Sequence, residues 1–112
     1  MFGILKELGD FNFDELKNIK MAFVDFWASW CGPCMAMSPI VEELEKEMPE
    51  VTFYKCDLDG NYEIGKKLDI QKIPQFFMFK NGVQVSKMVG GGPKAKLKEY
   101  IVGTLKMNDA ST

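Results

Sequence analysis

Ala22-Phe23-Val24-Asp25-Phe26-Trp27-Ala28-Ser29-Trp30-Cys31-Gly32-Pro33-Cys34 is the stretch on which the reading of this chain turns. Residues 22–28 form an almost unbroken apolar run of strand length, the pattern of a strand covered on both faces. Asp25 is its one discordant residue. Beyond the second cysteine, Met37, Ile40, Val41, Leu44 and Met48 recur at helical spacing, which leaves Glu42, Glu43, Glu45 and Lys46 for the opposite face. A buried strand therefore runs into a helix, and the two cysteines occupy the joint. Pro33 suits the first helical turn, where no N–H partner is required, whereas Pro39 is expected to kink the helix early.

Upstream, Phe11, Phe13 and Leu16, preceded by Asp10 or Asn12 as N-cap, predict a short amphipathic helix. Downstream, Val51 to Asp57 reads as a strand, and Ile64 with Leu68, after Asn61 as N-cap, reads as a second short helix. Gln75 to Lys80 and Val83 to Ser86 flank Asn81-Gly82, the dipeptide that best tolerates positive φ, and so predict a hairpin. Leu97, Tyr100, Ile101, Thr104 and Leu105 give a last amphipathic helix, followed from about Met107 by a polar tail expected to fray. Strands alternating with helices, then a hairpin and a closing helix, predict an α/β sandwich: a sheet part parallel and part antiparallel, with helices on both faces. No repeat or linker divides the 112 residues, and that length suits one domain, 1–112.

The composition, 46% hydrophobic and 27% charged, is that of a globular protein able to build a core without covalent staples. A formal charge of -2 provides no clustered basic footprint for nucleic acid or an anionic membrane, so the expected partners are proteins or small molecules. With no histidine, Cys-His and Ser-His nucleophile pairs and His-ligated metals are excluded. Three cysteines, two of them separated by only two residues, do not make the even, dispersed framework of a small secreted domain. Residues 1–10, broken by Gly3, Lys6 and Glu7, lack the apolar centre of a signal peptide, and no apolar run reaches membrane-spanning length. A cytoplasmic protein without a membrane segment is expected.

Placed between a buried strand and a helix, Cys31 would lie where unpaired N–H groups and the helix dipole stabilise a thiolate, the species that attacks a disulfide. Cys34 is spaced to resolve the resulting mixed disulfide. The competing readings are half of a zinc site, for which only Cys56 remains as a further ligand, and a purely structural disulfide, whose loop would constrain the unfolded chain little. Asp25, costly in a buried strand, is a candidate acid–base group beneath the cysteines that could take the proton of Cys34, with Lys55 on a neighbouring strand modulating its affinity. The alternative is a structural carboxylate paired with Lys55. Ile73-Pro74 before a strand is a candidate cis bond.

At this point the residues resemble the thioredoxin family. Phe23 to Cys34 is similar to its active-site signature nearly in full, and Pro39, Lys55, Asp57, Asp59, Ile73-Pro74, Phe79-Lys80-Asn81-Gly82 and Val89-Gly90 follow in the family's order. The resemblance spans almost the whole chain. It implies a thioredoxin fold, a central mixed five-stranded sheet flanked by four helices, with Asp25 as the buried acid and Pro74 cis, facing the sulfurs. It also implies reduction of protein disulfides by Cys31 with Cys34 resolving, without a cofactor, and re-reduction by a thioredoxin reductase. The surface around Trp30, Gly32, Pro33, Ile73, Pro74, Val89 and Gly90 would receive an extended segment of substrate, partly by main-chain bonds, onto a monomer.

The chain departs from the family pattern at four places. Met35 stands where many members carry a basic residue, Gln75 where threonine is usual, and Gly90-Gly91-Gly92 is more glycine-rich than usual. Cys56 is an additional cysteine, expected to point away from its neighbour Lys55. It reads as a small buried hydrophobe or, if exposed and acidified, as a regulatory thiol. A disulfide oxidase or isomerase using the same residues at higher potential, and a non-catalytic binding module, compete with the reductase reading.

Overall fold

The computed structural model describes residues 5–109. Strand β1 (Lys6–Glu7) is followed by a 3-10 helix, Phe13–Asn18, and then by β2 (Ala22–Trp27) and α1 (Gly32–Glu47). Next come β3 (Thr52–Asp57), α2 (Tyr62–Lys67), β4 (Gln75–Lys80), β5 (Val83–Val89) and α3 (Lys94–Asp109). The strands form one sheet in the order β1-β3-β2-β4-β5, parallel on the β1-β3-β2 side and antiparallel at β4 and β5. This is the mixed five-stranded sheet that the resemblance implies.

Because successive strand residues face opposite ways, the apolar strands build two cores. Phe23, Phe53, Phe76 and Met78 pack with Met37, Val41 and Leu44 of α1 and Leu97 and Ile101 of α3. On the other face, Val24, Phe26, Tyr54, Cys56, Phe77 and Phe79 pack with Leu16 of the 3-10 helix and Ile64 of α2. Every residue of β2 except Trp27 is buried, including Asp25, as its apolar run predicts. By the same alternation Asp25 and Lys55 lie on the α1 face, while Cys56 lies in the opposite core.

The hairpin forms at the expected dipeptide, with Asn81 at φ 51° and Gly82 at φ 85°. A Cβ on Gly82 would also meet Lys17 Cα at 3.0 Å, so turn conformation and close approach both require glycine there. Helix α1 contains Pro39 and still runs on to Glu47.

Several expectations need correction. The first helix is a 3-10 helix starting at Phe13, and Phe11 is 83% exposed rather than part of the apolar face. Asn12 is its N-cap residue, but its Oδ1 accepts none of the helix N–H groups, because it turns back to accept Gly9 N–H at 2.7 Å. The supposed tail is helical through Asp109, held by Asn108 Nδ2 donating to Thr104 O and Lys80 Nζ donating to Asn108 O. The tail expectation for residues 110–112 lies outside the described residues.

Asp10, offered as a cap for the first helix, instead caps α2. Its carboxylate accepts Ile64 N–H at 3.0 Å and Glu63 N–H at 3.2 Å from more than fifty residues away, while Asn61 Oδ1 accepts Asp10 N–H. Loss of that carboxylate leaves two N–H groups at the head of a helix too short to be stable alone. Asp10→Ala is therefore expected to cost about 1–2 kcal/mol in urea denaturation, and an unchanged midpoint would show that water replaces the cap fully.

Candidate active site

Strand β2 ends at Trp27, and a turn closed by Cys31 N–H donating to Ala28 O at 3.1 Å brings the chain to Cys31. Cys31 is the N-cap of α1, and its sulfur does what a serine or aspartate oxygen does elsewhere: Sγ accepts Cys34 N–H at 3.2 Å. Cys31 and Cys34 are joined as a disulfide, with S–S 2.20 Å and Cα–Cα 5.3 Å. Both cysteines are buried, whereas Gly32 and Pro33 between them are exposed. When the bond opens, the orphan N–H groups and the dipole of α1 favour negative charge at Cys31 over Cys34.

Asp25 lies directly in register with Lys55 across the parallel β2–β3 pair. Its Oδ1 is buried with no hydrogen-bond partner, so the structural-pair alternative is not realised at that oxygen. The Lys55 ammonium lies 6.0 Å over the Trp27 ring. Burial pushes the Asp25 carboxyl up to about 7, against the opposing pull of the Lys55 charge. A pocket of about 320 Å³ connects Asp25, Lys55 and Cys34, and Trp27, Met35, Ser38 and Glu42 also line it. The arrangement places a carboxyl that titrates near neutrality on the same small pocket as the second cysteine, which suits proton exchange with its thiol.

Strand register brings together residues of the expected docking surface. Gln75 pairs with Phe26 on one side and Val89 on the other, so the start of β4 and the end of β5 lie beside the end of β2 that leads to the cysteines. The Ile73-Pro74 bond is cis, and Pro74 O accepts Gly90 N–H at 2.9 Å. Trp30 and Val89 are 71% and 51% exposed, and Gly90 has φ 89°. Gln75 is buried, its Nε2 donating to Lys72 O at 2.8 Å. Met35 is 49% exposed at the mouth of the Asp25 pocket.

Trp27 and Asp59 enter the sequence reading only as parts of the apolar run or the family pattern, Ser38 has no role in it, and Glu42 is assigned only to the face of α1 opposite its apolar stripe. Trp30 Nε1 donates to Asp59 Oδ1 at 3.5 Å. The helical period could have found Ser38, four residues beyond Cys34 and so on the same side of α1. Cys56 has no exposed surface, and burial, followed by the charges of Asp10, Asp57 and Asp25, pushes its thiol up to about 12. It is the small buried hydrophobe of the two readings, not an acidified thiol.

The family model described as thioredoxin matches residues 5–103. Thioredoxin of Geodia cydonium is 42% identical over 103 residues, spanning 90% of this chain and 96% of its own, and thioredoxin-1 of Saccharomyces cerevisiae is 40% identical over 76 residues, 68% of this chain and 74% of its own. A bifunctional thioredoxin reductase/thioredoxin of Mycobacterium leprae is 38% identical over 98 residues, which are 85% of this chain and 21% of that one. Among solved structures, the thioredoxin of Plasmodium falciparum superposes with TM-score 0.84 at 33% identity, covering 88% of this chain and 98% of that one. Likeness of this degree runs through backbone and sequence together, and a paired Cys-x-x-Cys heads the helix to which it leads. This chain belongs to the thioredoxin family and is a protein-disulfide oxidoreductase that works by reversible dithiol/disulfide exchange at Cys31 and Cys34.

Proposed function

We propose that this chain, as one domain and a monomer, is a general protein-disulfide reductase in which Cys31 is the nucleophile and Cys34 resolves. The observation that carries this order is the Cys34 N–H on Cys31 Sγ at the head of α1, which favours charge on the first sulfur and not the second. Asp25 takes the proton of Cys34 as that thiol turns nucleophile, and Lys55 lowers the affinity of the carboxyl for it. Trp30, Gly32, Pro33, Ile73, Pro74, Val89 and Gly90 receive an extended substrate segment, a reading supported by the exposed side chains of Trp30 and Val89, although Ile73 is half-buried and Pro74 buried.

Electrons come from a thioredoxin reductase. The Mycobacterium leprae relative, named for both activities in one chain, supports such a source. No separate cofactor takes part, and the net charge of -2 supports protein partners over nucleic acid or an anionic membrane. A reducing, cytoplasmic setting agrees with an odd cysteine count whose third thiol is buried. Among the described residues, no helix is long and apolar enough to cross a membrane.

Insulin reduction driven by dithiothreitol tests the activity, and iodoacetamide labelling of the reduced protein near neutral pH tests the order. Accelerated insulin precipitation is expected, with label appearing on Cys31 well before Cys34. Preferential labelling of Cys34 would reverse the roles, and a protein inert toward insulin would return the reading to a binding module.

A further inference from the structure

Between β5 and α3 the chain is glycine at positions 90, 91 and 92, and two of its N–H groups are held from different directions. Gly90 N–H donates to Pro74 O at 2.9 Å, and Gly92 N–H donates to the thioether Sδ of Met37 at 3.5 Å. Met37 is buried on α1, three residues past Cys34, so this sulfur ties the loop to the helix that carries both cysteines. Gly91 allows the approach: a Cβ there would stand 3.0 Å from Met37 Sδ, 3.1 Å from its Cγ and 3.7 Å from Pro74 Cγ. A thioether is a weak acceptor, yet an aliphatic side chain of equal volume would offer the Gly92 N–H none. Three successive glycines would otherwise leave this segment freer than any other composition could.

We propose that Met37 is a positioning residue for protein substrates, its thioether holding Gly92 while Pro74 holds Gly90, so that the rim on which a substrate chain docks is fixed relative to the cysteines. The inference rests on the docking reading given above. A rim ordered in advance lowers the entropic cost of laying a chain along it, and loss of such order raises KM with kcat unchanged.

Met37→Leu keeps the volume and removes the acceptor. Gly92 amide exchange is expected to accelerate about threefold to tenfold, and KM for insulin to rise about threefold. The kcat for insulin and the rate with a small aromatic disulfide, which has no chain to lay along the rim, stay at the wild-type values. Selenomethionine at position 37 retains an acceptor and keeps the wild-type KM, whereas mere space-filling would make it and leucine equivalent. Val89→Asp, which alters the rim directly, separates the two layers of the argument. If it raises KM and Met37→Leu does not, the positioning role fails and the docking surface stands. If neither moves KM, the docking surface fails and takes the positioning role with it. Unchanged exchange at Gly92 in Met37→Leu overturns the tether itself.

Discussion

Cys34→Ser is expected to halt turnover at the first covalent intermediate, lowering insulin reduction roughly a hundredfold or more. In the order proposed above, attack by the Cys31 thiolate breaks the substrate disulfide, forms a mixed disulfide and releases one substrate thiolate. In the wild type, on the same proposal, Cys34 would then give its proton to the Asp25 carboxylate and attack Cys31 Sγ, closing the Cys31–Cys34 disulfide and releasing the second substrate sulfur as thiolate. Two electrons and both substrate sulfurs are thereby accounted for. A serine hydroxyl at position 34 keeps the shape of the helix turn but cannot displace a sulfur, so the intermediate persists. Mass spectrometry under non-reducing conditions should find an insulin chain attached at Cys31. Cys31→Ser should give neither turnover nor adduct, since Cys34 lies past the point where α1 favours negative charge. An adduct on Cys34 in that variant would sink the assigned order.

The strand-to-helix joint is legible in the sequence because two periods meet there: continuous burial in β2, and a 3.6-residue stripe in α1. The β4–β5 hairpin was readable for a local reason too, since Asn81-Gly82 carries its own conformational preference. What stayed hidden depends on distant partners. Strand β1 is two exposed residues, Lys6 and Glu7, recruited by pairing with Tyr54 and Lys55, and no alternation of apolar side chains announces it. The cap of α2 is equally non-local, because Asp10 sits beside the 3-10 helix in sequence and serves another element in space. Phe11 looked like a core residue by spacing alone, but Asn12 folds back on Gly9 and delays the helix to Phe13.

The site divides along the same line. The cysteine pair and Asp25 stand out as local anomalies, and alternation along the strands puts Lys55 on the side opposite Cys56. Proximity of Pro74 to Gly90 follows from the register of β4 against β5, which one sequence suggests only through resemblance. The contact of Met37 with Gly92 had no sequence signal apart from the run of glycines, because a methionine at that spacing reads simply as core.

Asp25→Asn is expected to make the folded protein more stable near pH 8, by up to about 4 kcal/mol before the needs of the new amide are counted. An Asp carboxyl ordinarily titrates at 3.8, whereas burial raises that of Asp25 to about 7 in the folded chain. Between those values the folded chain holds a proton that the unfolded chain has released, so stability is highest at or below the lower value. It falls as pH rises and is lowest above the upper one. The buried amide offsets part of the gain, because it needs partners where Oδ1 now has none. Urea denaturation of the oxidised proteins across the range should therefore give a difference between variant and wild type that grows from about pH 4 to about pH 8, and parallel stability curves would show that Asp25 does not titrate in this window. The same substitution removes the proposed proton acceptor for Cys34, so the mixed disulfide should live longer in the variant even as its fold becomes harder to undo. Lys55→Gln shifts the balance the other way: without the opposing cation the carboxyl holds its proton to higher pH, and the pH-dependent loss of stability extends upward with it.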